Sequence, residues 1–292
     1  MARPFRSSFA ELVDGDEPAL RARRLAAFEQ GVVLVVVAEY WLRAIPKWGQ
    51  LAAHYDALLA IATVAGALIL ARRWRRPALL ALAAAHVVLL WTEFPSSGNH
   101  AYLELYVLLL AALLRCDDEQ EGRLYLRAVR WLVVIVLFSS GIQKLAHGYW
   151  LHGEYLAFSL GSETYRALIG WLLPADELAR LAGLRGEVGD GPYRIASLPL
   201  LVLGNTTWLA EILLAPALCW RRTRPAAMVL ALLLLAAIET VAREVFFGLV
   251  FASAILLFAR RDLQTPARGL IALALALLAL VRAGILPEVT FY

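Results

Sequence analysis

Long apolar runs separated by short clusters of arginine, glycine and proline dominate this chain. The runs cover about 25–45, 51–71, 77–94, 100–115, 131–146, 197–220, 226–241, 245–259 and 268–286. A hydrocarbon core is crossed by a helix of about 20 apolar residues, and a helix satisfies its own backbone where no water is available. The pattern therefore predicts an all-α fold: a polytopic integral membrane helical bundle of about nine transmembrane helices.

The pattern breaks twice. Residues 1–24 are polar, mixing Arg3, Arg6, Arg21, Arg23 and Arg24 with Glu11, Asp14, Asp16 and Glu17, and hold no short apolar core of the kind a secretory leader needs. They read as a cytoplasmic tail. From 147 to 196 glycine, proline and charged residues interrupt short apolar pieces, with 165–173 and 177–184 amphipathic. This stretch is expected to cover the outer mouth of the bundle as a lid-like extracytoplasmic insertion within a transmembrane domain of 25–292.

Composition strengthens the class. With 61% hydrophobic residues and a mean hydropathy of +0.66, the apolar surface is too large for one soluble core. The net charge of +4 does not point to nucleic acid, because the arginines sit between the apolar runs, where they set orientation. With nine spans and an inner N-terminus, the tail and the loops at Arg72, Arg115, Arg221 and Arg260 all face the cytoplasm and hold 19 of the 28 basic residues. That places the C-terminus outside, and a bacterial inner membrane is the expected location. Cys116 and Cys219 then lie on the cytoplasmic side, form no CxxC pair and read as inert thiols.

Ionisable residues inside such spans lean towards function. Lys144 is one of only two lysines, in a chain that otherwise uses arginine. A lysine at a helix end can snorkel to the headgroups, but unlike arginine it can also surrender its proton and act as a base. His100 and Glu104 are four apart on one helical face, so the carboxylate can orient the imidazole; Glu39 and Arg43 are spaced as a local pair. Glu211 and His86 lie deep in their runs, while Glu239, Arg243 and Glu244 mark an outer bend. Five histidines without an HExxH or a tight His/Cys cluster do not make a metal site, and none is expected.

Two segments carry a family resemblance: Asn99-His100-Ala101-Tyr102-Leu103, and Ser140-Gly141-Ile142-Gln143-Lys144-Leu145 followed by Trp150 and Gly153. Together, over about 26–260, they look like the membrane domain of vitamin K-dependent γ-glutamyl carboxylase and the broader horizontally transferred transmembrane (HTTM) domain family. The resemblance implies that Lys144 is the catalytic base that deprotonates a reduced quinone, vitamin K hydroquinone or menaquinol, with His100 as its polar partner. Oxygen then adds, and the resulting alkoxide removes a γ-proton from a glutamate that captures carbon dioxide. Asn99, Glu104, Gln143, His147, Trp150, Glu211, Glu239 and Arg243 are the candidate quinol- and substrate-binding residues.

The chain departs from that pattern in places. Gln143 stands where the family has a lysine, Trp150 lies one residue further from the lysine, and Glu239 stands where a histidine is expected. No counterpart of the large lumenal portion is expected here, so the acceptor is expected to be a peptide, a small molecule or a protein delivered by a separate substrate-presenting partner, alongside membrane lipid and quinone. The alternative is a non-catalytic membrane scaffold or quinone-binding partner protein, in which Lys144 pairs with a carboxylate such as Glu211 or Glu239.

Overall fold

The computed structural model describes residues 17–44, 53–69, 71–94, 99–148, 150–160, 163–183, 195, 197–242, 244–283 and 285; the side chains of Arg43, His54, Asn99 and His100, among others, fall outside that description. No strand occurs among the described residues. The helices are α1 (Pro18–Ala44), α2 (Ala53–Ile69), α3 (Arg75–Glu93), α4 (Asn99–Leu113), α5 (Glu119–His147), α6 (Glu154–Ser159), α7 (Glu163–Ile169), α8 (Ala175–Gly183), α9 (Leu198–Cys219), α10 (Arg224–Ala242), α11 (Val245–Leu256) and α12 (Gln264–Arg282). Four stretches are long and apolar enough to cross a membrane: Pro18–Leu42, Glu119–His147, Leu198–Cys219 and Gln264–Val281. Tyr55–Ile69, Ala101–Leu113 and Val245–Leu256 are apolar but shorter. The secondary structure of the described residues is all-helical, and these helices are compatible with an integral membrane protein.

One boundary differs from the expectation. The charged stretch 116–130 reads as a loop, yet α5 runs back through it to Glu119. Asp118 explains the start: its Oδ1 accepts the backbone N–H groups of Gln120 and Glu121 at 2.9 and 2.8 Å, and Glu119 and Glu121 complement the helix dipole. Behind that cap, arginine, leucine and glutamate are good helix formers whatever their polarity. At the other end, Gly148 adopts φ +73°, a left-handed conformation that stops the helix.

The chain divides into two compact units, Met1–Leu132 with Arg243–Tyr292, and Val133–Ala242. In the first unit α1 is the central element, packed against α2, α4, α11 and α12. Lipid tails are as apolar as leucine, so close packing and polar contacts hold helices together in a membrane. Both appear here. Gly66 lets α2 approach Val37 of α1, where an added Cβ would come within 2.8 Å of Val37 Cγ2. Arg75 donates through Nε to Glu29 Oε1 at 2.7 Å and through Nη2 to Glu29 Oε2, and reaches the Ala111 carbonyl at 3.1 Å. The end of α11 is capped by two buried arginines, Arg24 and Arg130, whose Nη2 groups both donate to the Leu257 carbonyl, at 2.8 and 2.7 Å.

In the second unit α9 packs against α10. The segment after α5 forms a small core of its own from Leu156, Ala157, Leu160, Ile169, Leu173 and Leu181, closed by Ile195 and by Leu200 of α9. Its helices have 6, 7 and 9 residues, and no described piece of it is long enough to cross a bilayer.

Candidate functional site

Lys144 lies on the last turn of α5, and its position depends on the close approach of α5 to α9 at Gly141. A Cβ at Gly141 would lie 2.7 Å from Ile212 Cγ1, 2.8 Å from the Trp208 carbonyl oxygen and 3.1 Å from Glu211 Cβ. Without a side chain there, the two backbones meet and Glu211 arrives one turn below the lysine. Lys144 Nζ donates to Ser140 Oγ at 2.6 Å and to Glu211 Oε1 and Oε2 at 2.8 Å each. Three acceptors thus meet the three N–H bonds of an ammonium. The lysine side chain is 19% exposed and the glutamate 5%, so the amine is the outer member of the pair. The lysine folds back onto a buried carboxylate.

The turn that follows returns an aromatic face to the same place. Gly148 and Gly153 both have positive φ, at +73° and +69°, and the Gly153 N–H donates to the Trp150 carbonyl at 3.2 Å. The Trp150 ring centre lies 5.3 Å from Lys144 Nζ, within cation–π range, and the ring stacks on Tyr155 at 4.6 Å with a 19° interplanar angle. Asn205 on α9 ties the turn down: its Nδ2 donates to the Leu151 carbonyl at 3.3 Å, while its Oδ1 accepts from Trp208 Nε1 at 2.9 Å. The result is an ammonium, a carboxylate and a hydroxyl beside a stacked aromatic pair, at the end of an apolar helix. Such a group can bind a polar aromatic ring and exchange a proton with it.

Of the expected site residues, Lys144, Glu211, Gln143, His147, Trp150 and Glu239 belong to this second unit. Gln143 and His147 are exposed on the last turns of α5, and Glu239 is half-buried on α10. Arg243 lies outside the described residues, as do the side chains of Asn99 and His100 on α4. Glu104 belongs to the first unit, where the imidazole beside it is His86 of α3. Both side chains are fully buried, with His86 Nε2 3.5 Å from Glu104 Oε2. The same nitrogen lies 2.9 Å from the Ala101 carbonyl, which can only accept, so Nε2 carries a proton. The spacing that links Glu104 to His100 on one helix does not foresee this partner on the next.

The sequence reading also missed Glu29–Arg75, whose arginine lies in what reads as a purely orienting basic cluster. Near this pair, the Cys116 thiol is pushed above its ordinary pKa, chiefly by burial and then by the Glu29 carboxylate, which fits an unreactive cysteine. Among the described residues no group of three His, Cys, Asp or Glu side chains is placed to hold a metal ion. No protein-family model, no curated protein and no solved structure matches this chain.

Proposed function

We propose that this chain is an integral membrane protein of about nine spans, with its N-terminus inside and C-terminus outside, that carries out quinol- and oxygen-dependent chemistry at Lys144 in a bacterial inner membrane. The observation that supports the reading best is the Lys144–Glu211–Ser140 arrangement beside the Trp150–Tyr155 stack. A quinol ring suits that set of groups. The exposed Tyr155 ring of the stack offers a flat apolar face, the ammonium stabilises a developing phenolate, and the ion pair has a carboxylate able to take a proton. Reduced quinone, oxygen and carbon dioxide are the proposed co-substrates, following the resemblance to the carboxylase membrane domain. The carbon acid that is finally deprotonated comes from a separate protein.

The test is oxidation of a reduced naphthoquinone by the purified protein in the presence of oxygen. Wild type is expected to turn over, and Lys144→Arg to lose activity while keeping its expression level. Arginine preserves charge and reach but cannot act as a base. Comparable turnover in the arginine variant would remove Lys144 from the chemistry.

A second reading has an observation of its own. All three N–H bonds of Lys144 are engaged, which is what a fixed structural pair in a non-catalytic scaffold requires. In that case purified wild type oxidises no quinol, and Lys144→Arg is silent in every assay but stability.

A further inference from the structure

An ammonium has no lone pair, so a lysine held as a charged partner is not a base until one of its own protons has somewhere to go. Resting on the reading of Lys144 as the reactive group, we propose that Glu211 is the terminal proton acceptor of the site and that Lys144 relays the proton to it.

The geometry supports the order of transfer. Glu211 is buried behind the lysine, at 5% side-chain exposure against 19%, so a substrate arriving from outside meets Nζ first. Both carboxylate oxygens lie 2.8 Å from Nζ, a distance at which a proton can pass directly between the two groups. Ser140 Oγ, at 2.6 Å, holds the amine in place throughout. In the first transfer an N–H bond of Lys144 breaks and an O–H bond forms on Glu211, leaving a neutral amine facing a neutral carboxyl. The amine lone pair then takes the O–H proton of the quinol, so that bond breaks and an N–H bond re-forms. The products are the Lys144 ammonium, protonated Glu211 and a quinol phenolate paired with the ammonium. Net charge is unchanged, and no electron moves in this step. A separated charge is never left alone in an apolar site, where it would be costly.

Other titratable side chains on the surrounding elements include, among the described residues, His147 on α5, His152, Glu154 and Tyr155 on the segment after it, Cys219 on α9 and Glu239 on α10. The pH test must therefore be read against variants of the pair itself. The experiment follows turnover of a reduced naphthoquinone against pH, with quinol affinity from quenching of tryptophan fluorescence. Glu211→Gln should lower turnover about 10²–10⁴-fold at neutral pH with affinity little changed, the range expected when a proton acceptor is lost. Its rate should climb as the pH rises, because lysine can then lose its proton to solvent, whereas Lys144→Arg should show no alkaline recovery. A purely structural Glu211 would not produce that split.

A second measurement holds even if Glu211→Gln folds poorly. Under anaerobic conditions, quinol binding to wild type should produce a protonated-carboxyl C=O band in the infrared difference spectrum, and Glu211→Asp should shift it. Wild-type rate and pH profile in Glu211→Gln, or quinol binding without a new carboxyl band, would overturn the relay and leave the quinol reading standing. A wild-type protein that neither binds nor oxidises quinol would overturn both.

Discussion

Replacing Gly141 by alanine adds one methyl group at the closest contact between α5 and α9, and its effect can be worked out atom by atom. The new Cβ would lie 2.7 Å from Ile212 Cγ1, 2.8 Å from the Trp208 carbonyl oxygen and 3.1 Å from Glu211 Cβ. The isoleucine can turn aside. The carbonyl cannot, because it belongs to the α9 backbone, so the helices must separate by roughly half an ångström to reach ordinary contact. Overpacking of this kind costs about 1–3 kcal/mol, and the better helix propensity of alanine returns about 1 kcal/mol. With a rigid backbone atom in the clash, the net loss should be about 1–2 kcal/mol. The same separation draws Glu211 away from Lys144, so turnover should fall together with stability.

Gly269 is the matched control. It lies within α12 with nothing within 4 Å of its added Cβ, so Gly269→Ala should stabilise by about 0.5–1 kcal/mol. Denaturant unfolding in one detergent, followed by tryptophan fluorescence, compares the two variants. Equal stabilisation of both would refute the close approach at Gly141 and the positioning of Glu211 that depends on it.

Other consequences follow from the first unit and the loops. Glu29→Gln leaves the Arg75 guanidinium mostly buried without its carboxylate and should destabilise by about 3 kcal/mol; Glu29→Gln with Arg75→Met should recover part of that loss in the same unfolding assay. Asp262, in the turn before α12, is pushed up by burial but pulled below its ordinary pKa by the Thr265 hydroxyl and N–H and by Arg23, 3.0 Å away. A carboxyl lowered on folding contributes stability above its unfolded pKa of about 3.9 and loses it as the pH falls through the lower folded value. Melting temperature should therefore fall at acid pH in wild type, with a shallower slope in Asp262→Asn. Finally, Arg73→Cys on a cysteine-free background should react with a membrane-impermeant thiol reagent only from the cytoplasmic face; labelling from outside would reverse the proposed orientation.

What could be read from the residues depended on range. A described helix covers most of each apolar run, because length and polarity are local properties. The start of α5 was lost because Glu119 to Arg130 looks like a charged loop unless the Asp118 cap is weighed against it. Pairing between helices was harder. Glu29 and Arg75 lie 46 residues apart, and Lys144 and Glu211 lie 67 apart. An unusual lysine at the end of an apolar run was visible as a candidate, and Glu211 as an acid too deep to be idle. The sequence alone leaves the lysine's carboxylate open between Glu211 and Glu239, since that choice depends on how α5 and α9 approach at Gly141. The His86–Glu104 contact was hidden for the same reason: spacing reveals neighbours on one helix and is silent about the next.

The most direct test of the account exchanges the two charges, Lys144→Glu with Glu211→Lys, and measures folding and quinol oxidation on the same purified protein. The swap keeps an ammonium and a carboxylate in contact, so a structural pair is rebuilt with its helices interchanged. It also buries the amine and moves the carboxylate outward, reversing the order in which a substrate meets them. The account predicts a double variant that recovers most of the stability lost by either single change yet stays inactive towards quinol in oxygen. Full wild-type turnover in the swapped protein, or no turnover in the wild type, would contradict it.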